Sequence, residues 1–236
     1  MPPAGPDAVG LAGLAVVRHG QSTANAAFAA AEARGALDTG LTMRDAEVPL
    51  SPLGHRQAAR LGAYLKDLPA NQRPQVVVCS PYLRARQTLQ VALAAAGDAV
   101  SLPSPHFDDR LRDRVMGELE LLTTAAIEAR FPAEALRRRR AGEYQYRPPG
   151  GESFADIATR LGTLLQELHE RHRGRRVLIV AHDAVVLMLR RVIEGLSWQE
   201  VAGIVRSGPV ANASVTSWRQ VDGRLRLAGY NQTEHL

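Results

Sequence analysis

Three short stretches of this chain are apolar without alternation: Leu14–Val17, Gln75–Cys79 and Arg176–Ala181, the last two after a polar first residue. A run of that length with no polar face fits a strand covered on both sides, as in a parallel sheet between two layers of helices. The segments between them carry helical signals. One helix is predicted to begin near Ser22. A second runs from Ser51 through Leu68, with Ser51 as N-cap and Pro52 in the first helical position. Pro81 is expected to open a third, and Ala133–Ala141 reads as another. Phe154–His172 is amphipathic, with Ile157, Leu161, Leu164, Leu165 and Leu168 at helical spacing, and Asp183–Glu194 is helical again. Ser214–Trp218 and Arg224–Leu227 alternate in the manner of antiparallel edge strands. The pattern predicts an α/β three-layer sandwich, a mostly parallel central sheet with helices on both faces. Residues 1–10, rich in Pro and Gly, read as a flexible tail. With no internal repeat or linker, 11–236 reads as a single domain.

Composition narrows the picture only in places. With 45% hydrophobic and 22% charged residues in 236, the chain is ordinary globular material. Cys79 is its one cysteine, which excludes an internal disulfide and a cysteine-rich metal cluster. No apolar run reaches the ~18 residues of a membrane span. The start lacks a cationic signal region, so the expected location is cytoplasmic. Net charge is +5 and aromatics are 5%, with no basic stripe interleaved with them. That disfavours nucleic acid and leaves small anionic substrates as the partners a positive field would attract. The run Arg137–Arg140 points in all directions around its helix and reads as a solvated face.

In sheets of this kind, ligands bind beyond the carboxyl ends of the strands. The first strand ends in Arg18-His19-Gly20, the second in Cys79-Ser80-Pro81 with Arg84 one turn later, and the third in Ala181-His182-Asp183. Each alone is ordinary, since a histidine at a strand end is usually a satisfied loop residue. Together they place two imidazoles and two guanidiniums on one sheet edge. The helix after Gly20 is expected to add backbone N–H groups, and Gly20 to let an anion come close. The residues describe an anion site with no metal ligand cluster recognisable from spacing along the chain.

The stretches VVRHGQSTAN, PLSPLGHRQA, CSPYLRARQT, LRDRVMG and VLIVAH, in that order from Leu14 to His182, resemble the histidine phosphatase superfamily, the phosphoglycerate mutase-like fold. YQYRPPGGESFADIATRL is similar to a stretch of fructose-2,6-bisphosphatases. The resemblance implies a metal-independent phosphomonoesterase with no cofactor, acting on a small phosphorylated substrate. His19 would become a phosphohistidine, with Arg18, Arg84, Asn25, Gln21, Ser22 and His182 around the phosphoryl group. Asp113 aligns with the family acid, usually a glutamate, and Glu118 and Glu120 are alternatives for that role. A protonated Asp113 requires a carboxyl raised above its usual range, which burial would supply and the arginines oppose. Arg139 falls where a sugar-phosphate-binding arginine sits, but Glu143 replaces a lysine and Thr124 a tyrosine. Asp183 follows the second histidine, where mutases commonly have glycine. Residues 26–48 are expected to form a flap over the pocket, and Trp198–Ile204 is either core or an apolar contact in a homodimer.

Rival readings share parts of this site. Cys79 and Arg84 give C-x4-R, one residue short of the cysteine phosphatase loop. Phosphoglycerate mutase activity needs the same residues plus a bisphosphate. A phospho-ligand-binding module would keep the site without turnover.

Overall fold

The computed structural model describes residues 10–97 and 102–236. The expected tail lies outside them except for Gly10, whose carbonyl accepts from Gly174 N. The strands are β1 (Gly13–Arg18), β2 (Val76–Cys79), β3 (His106–Phe107), β4 (Arg176–Ala181), β5 (Val215–Val221) and β6 (Arg224–Gln232). They form a six-stranded sheet among the described residues, in the order β3-β2-β4-β1-β5-β6. The pairs β1–β4, β2–β4 and β2–β3 are parallel; β5 runs antiparallel to β1, and β6 to β5. Only β6 of the two late strands is an edge, because β5 is inserted between it and β1.

The helices are α1 (Thr23–Ala33), α2 (Pro52–Asp67), α3 (Leu83–Ala96), α4 (Thr124–Arg130), α5 (Pro132–Ala141), α6 (Phe154–Arg171), α7 (Asp183–Glu194) and α8 (Trp198–Ser207). Period-2 geometry splits each central strand between two cores. Leu14, Val16, Val76, Val78, Val177 and Ile179 face α6 and α7, packing with Ile157, Leu161, Leu164, Val185 and Leu189. Val17, Val77, Cys79, Leu178 and Val180 face α2 and α3, packing with Leu61, Leu65, Ala85 and Leu89. Both faces are covered, which is why these strands have no polar alternate positions.

Helix starts follow local chemistry. Ser51 accepts from Gly54 N ahead of Pro52, and Ser22 and Ser153 close capping boxes with Asn25 and Asp156. Pro81 does not open α3. Ser80 Oγ accepts from Tyr82 N, holding a bend for two residues, and the helix starts at Leu83. After α1 the chain from 34 to 50 is irregular apart from one 3-10 turn, Asp45–Glu47. Val201 of α8 is buried in the core, and Trp198 stacks on Tyr144 at 5.2 Å.

Candidate active site

Strands β2, β4 and β1 are neighbours and parallel, so their carboxyl ends emerge side by side. The ladder continues one residue past each strand: His19 N bonds Ala181 O at 2.9 Å, and Ser80 N bonds Val180 O at 2.9 Å. His19, Ser80 and His182 therefore stand in a row. The rings of His19 and His182 are 5.2 Å apart, edge to face, and Tyr82 also packs edge to face on His182 at 5.2 Å.

His19 is 2% exposed, and its Nδ1 lies 2.7 Å from its neighbour's carbonyl, Gly20 O. A carbonyl can only accept, so Nδ1 carries the proton and Nε2 keeps a lone pair. Burial, then His182, Arg84 and Arg18, hold this imidazole well below its ordinary range, and the Gly20 carbonyl opposes them only in part. At neutral pH the ring is uncharged. Burial also lowers His182, against the pull of Asp113. Its Nε2 is 2.8 Å from Ser80 Oγ, while its buried Nδ1 has no hydrogen-bond partner.

Arg84 comes from the first turn of α3, is 3% exposed and is not a surface residue. Its Nη2 bonds Asp113 Oδ2 at 2.9 Å. The same carboxylate oxygen is 3.3 Å from His182 Nδ1, without the alignment of a hydrogen bond. Arg18 donates from Nη1 to Val210 O, and its buried Nε is unpartnered. Asn25 Oδ1 accepts from Ser22 N and from Asn212 Nδ2 at 3.1 Å, which turns the Asn25 NH2 outward. Arg18 Nε, His19 Nε2, Asn25 Nδ2 and His182 Nδ1 thus have no protein partner among the described residues.

Several expected groups are engaged elsewhere. Ser22 is buried, with its hydroxyl capping α1, and Gln21 Oε1 accepts from Ser51 Oγ at 2.7 Å. The N–H groups of Gly20, Gln21, Ser22 and Thr23 go to Thr88 Oγ1, Gln57 Oε1, Asn25 Oδ1 and Pro49 O. None is free for an anion. Gly20 is required by packing instead: a Cβ there would stand 2.6 Å from Gly54 O. Arg139 pairs with Glu128 at 3.6 Å, and Glu143 pairs with Arg114 and Arg138, so neither contacts the histidines. Asp183 turns its carboxylate to the α7 N-terminus, accepting from Ala184 N.

Of the three acids, Asp113 reaches the cluster. Glu118 is exposed, and Glu120 accepts from Asp45 N. Asp113 sits on the loop after β3, where Arg160 of α6 donates to the carbonyls of Arg110, Arg112 and Asp113 and pairs with Glu152. Burial alone would raise its carboxyl. His182, Arg84 and His19 outweigh burial and hold it well below the usual carboxylate range, so in the free site it is ionised. Asp45, on the segment before α2, brings a second carboxylate to Arg84 that sequence spacing did not mark. Its counterpart in fixing His182, Ser80, also went unmarked.

The fold does assemble a carboxylate–imidazole cluster invisible along the chain: ligand atoms of His19, Asp113 and His182 lie within 4.8 Å of one another. The Asp113 oxygen facing His182 is also held by the Arg84 guanidinium, a fixed positive charge that disfavours a cation in this cluster. Cys79 is no nucleophile. It is fully buried in the sheet core, and burial pushes its thiol up to about 12. Among the described residues, no helix is long and apolar enough to cross a membrane.

Residues 14–233 match the pattern of the histidine phosphatase superfamily (branch 1). A glucosyl-3-phosphoglycerate phosphatase of Mycolicibacterium vanbaalenii is 30% identical over 226 residues, covering 92% of this chain and 86% of that protein. A 2,3-bisphosphoglycerate-dependent phosphoglycerate mutase of Gloeobacter violaceus is 33% identical over 190 residues, covering 80% and 78%. A solved mycobacterial glucosyl-3-phosphoglycerate phosphatase in complex with VO3 superposes with a TM-score of 0.70 at 28% identity, covering 94% of this chain and 99% of that one. With two histidines and two arginines at the strand ends of a phosphoglycerate mutase-like sheet, the chain belongs to branch 1 of the histidine phosphatase superfamily and is a phosphoric monoester hydrolase.

Proposed function

We propose that the protein hydrolyses phosphomonoesters without a metal, through a phosphohistidine on His19. The observation that carries this reading is the tautomer of His19: Nδ1 is tied to Gly20 O, leaving a buried, unprotonated Nε2 beside unpartnered donors. Nε2 attacks phosphorus in line with the ester oxygen. Arg18, Arg84, Asn25 and His182 hold the three equatorial oxygens with charge-assisted and neutral hydrogen bonds, which strengthen as charge spreads over them. Asp113 is the acid and base. The dianion of a bound phosphate opposes the same cations that depress this carboxyl and pushes it back up, so the proton enters with the substrate. The protonated carboxyl gives that proton to the leaving alkoxide. As carboxylate it then takes one from the water that attacks the phosphohistidine, releasing inorganic phosphate and free His19.

The similarity to glucosyl-3-phosphoglycerate phosphatases supports a small phosphorylated metabolite as substrate. A mutase reading draws on the Gloeobacter relative, but nothing in the site's geometry favours it over hydrolysis. Enzyme quenched in alkaline detergent during turnover of 32P-labelled substrate tests the proposal. Base-stable, acid-labile label should form in the presence of EDTA and be absent from His19→Ala. Label surviving in that variant, or activity lost to the chelator and restored by magnesium or zinc, refutes it.

A further inference from the structure

Arg84 is almost wholly buried between two carboxylates. Asp113 belongs to the reaction proposed above; Asp45 has no part in it. Asp45 closes on the guanidinium from the segment between α1 and α2. Its Oδ1 is 3.0 Å from Nη1, its Oδ2 is 3.1 Å from Nη2, and its own carbonyl accepts from Nη1 at 2.6 Å. A carboxylate laid across both terminal nitrogens of an arginine occupies the positions of two phosphoryl oxygens on the same fork. We propose that Asp45 competes with the substrate's phosphoryl group for Arg84, so that binding displaces its carboxylate and this residue sets how tightly the site takes a dianion. The inference rests on Arg84 being a phosphate-binding residue.

The charges around the site make such a competitor consequential. With both imidazoles neutral, the positive charges of Arg18 and Arg84 are matched by Asp45 and Asp113, and the free site has no net charge to offer a dianion. One carboxylate must withdraw or take up a proton. Asp113 is the worse candidate to open the site, because it takes up its proton only once the dianion is bound and until then is held on its loop by Arg160 and kept ionised beside Arg84 and His182. Asp45 is the better one. It stands in a three-residue 3-10 turn, its side chain is partly exposed, and burial followed by the neighbouring Asp113 pushes its carboxyl up despite Arg84. The groups facing it are Arg84 and Tyr82 at the start of α3, Asp113 and Glu120 on the loop after β3, and His182 ahead of α7. Tyr82, pushed up to about 12 by burial and by these same acids, stays neutral throughout. The buried Val48 anchors the far end of the turn, so the displacement needed is local to Asp45 and its neighbours.

Sulfate is the probe, because it stays dianionic across the range in which carboxylates titrate. Its inhibition constant against p-nitrophenyl phosphate should tighten about tenfold in Asp45→Asn and in Asp45→Ser, the scale of removing one opposing charge from a partly solvated site. In the wild type, sulfate should bind more tightly as pH falls through the upper carboxylate range, since a protonated Asp45 no longer competes; in Asp45→Asn the profile should be flatter. Equal affinities, or a wild-type profile no steeper than the variant's, overturn the proposal. Weaker binding in the variants overturns it as well, and shows Asp45 orienting Arg84 for the anion. Arg84→Gln separates the two readings: sulfate binding retained there removes Arg84 from the phosphate site, whereas binding lost there with Asp45 variants unchanged removes only the competition.

Discussion

Replacing Ser80 with alanine isolates the geometry that prepares His182. Ser80 is fully buried, its Oγ lies 2.8 Å from His182 Nε2, and it accepts from Tyr82 N at 3.3 Å. The Asp113 carboxylate, which can only accept, lies beside Nδ1 and draws the ring hydrogen there, so the Ser80 hydroxyl donates to Nε2. Nε2 is then the acceptor and Nδ1 carries the hydrogen that faces the phosphoryl site, 3.3 Å from the Asp113 carboxylate. Alanine leaves a buried imidazole nitrogen and a backbone N–H without partners, a loss of about 1–3 kcal/mol. For a chain of this size that lowers the melting temperature by roughly 2–12 °C. The catalytic effect is bounded by the ~10²–10³-fold lost when a preorganised oxyanion donor is removed outright. With the ring still present but its tautomer no longer fixed, a fall in kcat of about tenfold is expected, and Ser80→Thr should restore most of it. Thermal melts, steady-state kinetics and 15N NMR of the His182 ring measure the three parts separately. A wild-type ring protonated on Nε2 would falsify the tautomer assignment. A melting shift with unchanged kcat confines Ser80 to a structural role.

Two further outcomes follow from the same electrostatics. Asp113→Asn should slow enzyme phosphorylation by alkyl phosphates by about 10²–10⁴-fold, the span of general acid catalysis, and far less with p-nitrophenyl phosphate, whose leaving group needs no proton. Single-turnover labelling reads this, and an equal loss on both substrates, or the same pattern in Glu118→Gln, removes Asp113 from the role. Stability should fall on acidification. His19 and His182 are held below the ordinary histidine range in the fold, so between the unfolded value near 6.5 and the lower folded value the unfolded chain binds more protons. Above that window the two imidazoles contribute no pH dependence; within it each adds a slope approaching ~1.4 kcal/mol per pH unit. Urea unfolding across that window should show the loss, made shallower by His19→Asn; stability that rises as pH falls would contradict the buried neutral pair.

What the chain decided locally was legible in it. Continuous apolar runs named the central strands because both their faces are buried. Ser51-Pro52 named a helix start because capping involves only neighbouring residues. The parallel order then followed from helices between strands, and with it the convergence of Arg18, His19, Arg84 and His182 on one edge. What lay beyond reach depended on contacts between distant segments. Asp45 meets Arg84 across 39 positions and Ser80 meets His182 across 102, and no local periodicity encodes either pairing. The amides of Gly20, Gln21 and Thr23 looked free for an anion until α3, α2 and Pro49 supplied their acceptors, and Ser51 took up the Gln21 side chain. The ionisation of Asp113 likewise belongs to the tertiary structure, since burial and cations push a carboxyl in opposite directions. Only the assembled contacts with Arg84 and His182 decide that it stays ionised.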